Sequence, residues 1–176
     1  MASVCLVLGG CRSGKSSYAL GTAQQAGEPN KVFIATCPPL DKEMRARIER
    51  HRSERGRQWR TVEAQQDLPG AIRDSSGRDS VLLVDCLGMW MNNLLDVQRQ
   101  ERDWEELFQG LCRVLQQAEG RIFVVSNEVG CGLVPADEVS RMYRDGLGRL
   151  NQEVAAIADR VIWMVAGLPV TVKEEE

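Results

Sequence analysis

An α/β fold, with a mostly parallel sheet flanked by helices and a short antiparallel edge strand near the C-terminus, is what three features of the sequence predict. Five short runs, 4–8, 32–36, 81–85, 122–126 and 161–165, are β-rich and almost continuously apolar, as strands buried on both faces must be. Helix-like segments at 16–26, 42–55, 87–97, 104–118 and 137–158 alternate with them, and that alternation suits a parallel sheet covered by helices. In the last of these, Val139, Met142, Leu147, Leu150, Val154 and Ile157 recur at spacings of three to five, so one helical face is buried.

Taken in order, the first strand runs into a glycine-rich loop and a helix. The second strand leads into an arginine-rich segment at 41–63. The third ends on Asp85, and the helix at 87–97 follows. A Gly167-Leu168-Pro169 turn after the fifth run leads into 170–173, the expected edge strand. At 176 residues the chain is expected to form one domain, 1–176, large enough to bury a core without disulfides.

Composition removes several classes of function. No apolar run approaches the roughly 20 residues of a membrane span, and no basic region followed by an apolar stretch marks a secretory leader. With 22 basic against 25 acidic residues the net charge is −3, so general nucleic-acid binding, which needs clustered cations, is not expected. Arginine far outnumbers lysine, and its planar fork suits a small anionic ligand. The six cysteines show no CxxC pair and accompany a single histidine, so a zinc site is not expected. Reduced cysteines in a cytoplasmic protein are.

Gly9, Gly10, Cys11, Arg12, Ser13, Gly14, Lys15 and Ser16 match GxxxxGK[ST] at every fixed position. The glycines let the backbone aim its N–H groups at phosphates, Lys15 reaches the outer phosphates, and the Ser16 hydroxyl ligates Mg2+ at a helix N-terminus. The motif follows a strand and opens a helix, the context that gives it meaning, so a P-loop NTPase-like domain is expected. Arg12 is either a further phosphate ligand or solvated. Asp85, at the carboxyl end of its strand, reads as a second Mg2+ ligand or as the N-cap of the next helix.

The 41–63 segment carries eight basic and five acidic residues. Met44, Ile48 and His51 fall on one helical stripe, so His51 faces the protein or its cleft. Periodicity by itself favours a packed histidine. Imidazole is largely neutral at pH 7 and can equally be a nucleophile at phosphorus.

Together with the phosphate loop, these residues resemble one family. The resemblance is carried by GGCRSGKS at 9–16, IAT at 34–36, and Asp41-x-Glu43-Met44-x-x-Arg47-Ile48-x-x-His51. Arg55, Trp59, Thr61 and Glu63 continue it. It extends through VDCLGMWMNNLL at 84–95, SNEVGCGLVP at 126–135, RxYRDxxGxxNQ at 141–152 and AD at 158–159. The chain resembles the bifunctional adenosylcobinamide kinase/adenosylcobinamide-phosphate guanylyltransferases of cobalamin biosynthesis, over almost its whole length.

The resemblance implies two reactions. ATP or GTP phosphorylates the aminopropanol hydroxyl of adenosylcobinamide, and GMP from GTP then passes to that phosphate through a guanylyl-histidine. His51 falls on the nucleophile. Lys15 and Asp85 join it as catalytic residues, with Mg2+ on Ser16 and Asp85. Thr36, Cys37, Pro38, Arg52, Ser53, Glu54, Arg55, Glu63 and Asp85 fall on positions that contact GTP. Either Glu63 or Asp85 could accept the guanine N–H groups, which leaves open whether Asp85 serves metal or base. Departures from the family pattern are small: position 11 is Cys where alanine is common, and position 85 is Asp where some members have Glu.

The implied partners are the corrinoid, its phosphate and GTP or ATP, with a homo-oligomer, typically a trimer, as the assembly. The sequence does not place the corrinoid; subunit boundaries are the expectation. One loop serving two phosphorus atoms predicts that 41–56 moves. A simple metabolite kinase with a structural His51 is the rival reading; a GTP switch lacks its NKxD motif here.

Overall fold

The computed structural model describes residues 2–38, 42, 49, 52–53, 55–97 and 101–174. In chain order these form β1 (Ser3–Gly9), α1 (Lys15–Gln25), β2 (Asn30–Ala35), β3 (Trp59–Glu63), α2 (Leu68–Ser75), β4 (Ser80–Asp85), α3 (Leu87–Val97), α4 (Glu101–Gln117), β5 (Arg121–Asn127), α5 (Glu138–Ile157), β6 (Arg160–Val165) and β7 (Leu168–Glu174). Most of the helix expected over 42–55 lies outside the described residues.

One sheet takes all seven strands in the order β3-β2-β4-β5-β1-β6-β7. Every neighbouring pair is parallel except β6 with β7. The five runs read as strands are all present, and the edge strand is antiparallel as expected. Its turn lies slightly earlier than the sequence suggested. Ala166 and Gly167 both have positive φ, 50° and 83°, the backbone of a two-residue hairpin loop. Leu168 and Pro169 therefore already belong to β7, and an edge strand tolerates the proline because its N–H is not needed for pairing.

Alternation along the central strands divides the core in two. Val4 and Leu6 of β1 face the larger cluster, where Leu68, Trp90, Met91, Phe108, Leu111, Leu147 and Leu150 bring in α2 to α5. Cys5 and Val7 face the smaller one, closed by Ala19 and Ala23 of α1. Small residues let α1 lie close against β4 and β5, which brings its N-terminus over the sheet's carboxyl edge. Trp90 is fully buried, and its indole N–H donates to the Gln66 carbonyl at 2.8 Å, so a large apolar surface is buried with no orphaned donor.

β3 and α2 went unread in the sequence. β3 is a charged edge strand in which only Trp59 is buried, so it lacks the continuous apolar signature. α2 opens on Leu68-Pro69-Gly70, which reads as a turn; the Asp67 carboxylate caps it by accepting from Gly70 N–H at 2.8 Å.

Candidate active site

β1 delivers the chain to the loop at Gly9, where any Cβ would strike the Ser13 hydroxyl and lie 2.9 Å from the Met164 carbonyl. Glycine is needed there because β6 runs alongside. Gly14 takes φ 91° and Arg12 φ 54°, and this curl lets α1 begin at Lys15. The helix has no side-chain cap and no acidic residue in its first turn, so its N-terminal amides face the loop, an arrangement that favours a bound anion. Lys15 is almost wholly buried, and its Nζ donates to the Gly10 carbonyl at 3.0 Å, which holds the ammonium over the loop. Ser16 stands half-buried on the first turn, whereas Cys11 and Arg12 are exposed.

Two supports of this loop left no signal in the sequence. Gly167 N–H, at the β6–β7 hairpin tip, donates to the Ser13 carbonyl at 3.1 Å; Glu128 N–H, just after β5, donates to the Gly9 carbonyl at 3.0 Å. Both contacts depend on which strands flank β1.

Beside the loop, β2 and β4 end together. Thr36 is fully buried; its hydroxyl donates to the Cys86 carbonyl at 2.7 Å and accepts from Cys86 N–H at 2.8 Å. Asn93 Nδ2 donates to the Thr36 carbonyl at 2.8 Å and to the Gln65 carbonyl at 2.9 Å. The Thr36 hydroxyl is thus spent on shaping the chain after Asp85. Cys37 and Pro38 continue, half-buried, from that point. Burial first, and then the Asp85 carboxylate, push the Cys86 thiol up to about 12, while the Lys15 ammonium pulls the other way. One thiol senses both groups.

In register, Ala35 pairs with Glu63 on one side and with Asp85 on the other. Directly paired residues share a face, and two strand spacings put the carboxylate-bearing backbones about 10 Å apart. Asp85 lies two strands from β1 and Glu63 four. Arg55 is buried with its guanidinium 3.5 Å from the centre of the Phe33 ring, a cation–π contact. Arg52 and Ser53 are exposed, and Arg52 lies 4.0 Å from Glu49 in a surface ion pair. His51 and Glu54 lie outside the described residues.

Hard oxygen donors from Ser16 and Asp85 suit Mg2+, which typically takes one or two protein ligands and completes its shell with substrate phosphates and water. Among the described residues no group of three or more His, Cys, Asp or Glu is arranged to hold a metal, and no helix is long and apolar enough to cross a membrane.

Farther along the same edge, Tyr143 Oη donates to the Gly88 carbonyl at 3.2 Å. Burial, the larger cause, and the neighbouring Cys86 thiol raise it to about 12. Ser126 Oγ donates to Asn151 Oδ1 at 2.6 Å, and Asn151 Nδ2 donates to the Asn127 carbonyl at 3.0 Å. These bonds lock α5 to the end of β5. Between them opens a cavity of about 540 Å3, with Trp104, Glu128, Arg144, Asp145, Arg149 and Gln152 in its wall.

Among solved structures, a prototypical type III secretion ATPase from pathogenic bacteria is similar at TM-score 0.57 and 14% identity, over 96% of this chain and 56% of that one. The ATPase EscN of enteropathogenic E. coli gives TM-score 0.61 and 14% identity, over 94% of this chain and 43% of its own. The chain spans about half of those ATPases, and the likeness shows the P-loop NTPase fold alone.

Sequence relatives are nearer. The bifunctional adenosylcobalamin biosynthesis protein CobP of Pseudomonas aeruginosa is 43% identical over 173 residues, 97% of each chain. The corresponding CobU protein of Escherichia coli is 38% identical, over 96% of this chain and 98% of its own. The family model described as cobinamide kinase / cobinamide phosphate guanyltransferase matches residues 5–172. Built on this nucleotide cradle and matched across nearly its full length, the chain belongs to the cobinamide kinase / cobinamide phosphate guanyltransferase family.

Proposed function

We propose that this one domain phosphorylates the aminopropanol hydroxyl of adenosylcobinamide and then transfers GMP from GTP to the product. The observation that carries the reading is the Gly9–Ser16 cradle, with Lys15 held over it, in a chain matched to that family from residue 5 to 172. In the first reaction the substrate oxygen bonds to the γ-phosphorus, the bond to the β–γ bridging oxygen breaks, and the hydroxyl proton leaves. Loop amides and Lys15 stabilise the charge that develops. Ser16 and Asp85 would hold Mg2+, which would supply charge neutralisation at the phosphates.

In the second reaction a neutral His51 nitrogen bonds to the α-phosphorus and pyrophosphate departs. A phosphate oxygen of the corrinoid product then takes the GMP, and the P–N bond breaks. Thr36 is a positioning residue that acts through the Cys86 peptide; Cys37, Pro38, Arg52, Ser53, Glu54 and Arg55 belong to the nucleotide's surroundings. Asp85, nearer the loop strand, is the metal-side carboxylate, and Glu63, farther out, suits the base. Positioning governs catalysis of this kind; most of the segment 41–56, expected from the sequence to serve both phosphorus atoms, lies outside the described residues.

Incubation with α-labelled GTP and Mg2+, followed by denaturation, tests the reading. We expect acid-labile, base-stable label on the protein. His51→Ala should abolish that label and spare most γ-phosphoryl transfer. Label retained in the variant, or never acquired by the wild type, rejects the histidine intermediate and leaves a simple kinase.

A homo-oligomer belongs to the same proposal, with a trimer as the expected form. Its support is the apolar outer face of the β6–β7 hairpin, where Trp163, Val165, Leu168, Val170 and Val172 are exposed; a second copy would cover it, and sedimentation reads the resulting mass. A cytoplasmic setting fits six free cysteines.

A further inference from the structure

The cavity beside α5 is not used by the nucleotide reading, and its wall begins one hydrogen bond from the root of the phosphate loop, at Glu128 N–H to the Gly9 carbonyl, 3.0 Å. Resting on the reading above, we infer that it receives the substrate's aminopropanol arm and, after the first reaction, the phosphate on that arm, with Arg144 as anchor. The volume, about 540 Å3, is that of a small-molecule site. It admits an arm and adjoining amide groups while the corrin ring stays outside.

The wall has the matching chemistry. Arg144 and Arg149 are balanced by Glu128 and Asp145, so this is no well for a triphosphate. Donors and acceptors side by side suit a ligand fringed with neutral carboxamides and carrying a single phosphate. Asn151 is already committed to Ser126 and Asn127, and Glu128 Oε1 accepts from Gly130 N–H. Arg144 differs: its Nη1 is buried with no hydrogen-bond partner among the described residues. A buried donor of that kind is costly until an acceptor arrives, and a guanidinium fork fits phosphate oxygens. Trp104 supplies an apolar wall.

Gly148 offers a clean probe, because a Cβ built there meets nothing within 4 Å. Bulk at that position enters open space. The full chain and its Gly148→Trp and Arg144→Gln variants are dialysed to equilibrium against cobinamide or cobinamide phosphate and read by corrinoid absorbance. GTP affinity and protein labelling from α-labelled GTP are measured alongside. Gly148→Trp should weaken both corrinoids at least tenfold, and Arg144→Gln should weaken the phosphate more than the alcohol, with GTP affinity and label at wild-type levels. Wild-type corrinoid affinity in a folded Gly148→Trp protein overturns the cavity assignment and leaves the proposed function standing. Parallel loss of GTP affinity overturns it too, because the cavity would then belong to the nucleotide. A wild-type chain that neither binds cobinamide nor takes label removes both.

Discussion

The phosphate loop and the α5 cavity are neighbours at one edge of the sheet, built in opposite ways. The loop is eight consecutive residues whose conformation follows from where glycine permits positive φ and close approach. The cavity is assembled from α4, α5 and the chain after β5, and none of those pieces makes it alone. The lesson is that a contiguous site shapes most of its own backbone and takes only two braces from elsewhere, at Gly9 and Ser13, while an assembled one inherits the packing of every element that walls it.

Removing the Lys15 ammonium should therefore be severe and local. Lys15→Ala should reduce phosphoryl transfer by about 10²–10³-fold, the usual effect of losing one charge-stabilising donor, and should also weaken GMP transfer. The thermal midpoint should stay near that of the wild type. A large drop in midpoint would mean that the loop is not self-contained.

Two glycines of α5 sharpen the contrast. At Gly146 an added Cβ would lie 2.5 Å from Met91 Cε and 2.9 Å from Trp104 Cζ3, so Gly146→Ala overpacks the larger core. Such crowding costs about 1–3 kcal/mol, a fall of several degrees for a chain this size. Two residues on, Gly148→Ala meets only open space and should stabilise by about 0.5–1 kcal/mol through the helix. Calorimetry on the pair reads the sign, and equal shifts would contradict the packing.

The effect that is smallest at neutral pH, where it vanishes, is alkaline. Burial raises the Cys5 and Cys112 thiols to about 11 and Cys86 to about 12. The unfolded chain loses these protons first, from the ordinary value of 9.0 upward, so folding stability is intact below that pH and declines as pH climbs toward the folded values. Each thiol, Cys86 included, contributes a limiting slope of about 1.4 kcal/mol per pH unit between its unfolded and folded values. Cys86→Ala should flatten the urea-midpoint profile between pH 9 and 11; an unchanged slope would place the effect elsewhere.

Legibility in the sequence follows the same division. β1, β2, β4 and β5 could be read because both their faces are largely buried, which leaves nearly unbroken apolar runs, and β6 because its exposed face, at Trp163 and Val165, is apolar as well. α1, α3, α4 and α5 showed through their stripes or the loop motif. β3 stayed hidden because an edge strand keeps its charges, and α2 because Pro69 and Gly70 imitate a turn. The part of the site nearest the loop was legible as a motif. The row linking Glu63, Ala35 and Asp85, and the two backbone bonds that steady the loop, depend on strand register and order.

By itself, then, the sequence determined the phosphate cradle, the buried strands and the family, because each is written in adjacent residues or in a short-period pattern. Only the tertiary structure decided that Thr36 is consumed in holding the Cys86 peptide, that the β6–β7 tip braces Ser13, and that a buried Arg144 nitrogen has no partner among the described residues beside an open cavity. Those outcomes turn on which distant groups are brought within hydrogen-bond reach, and no local spacing encodes that.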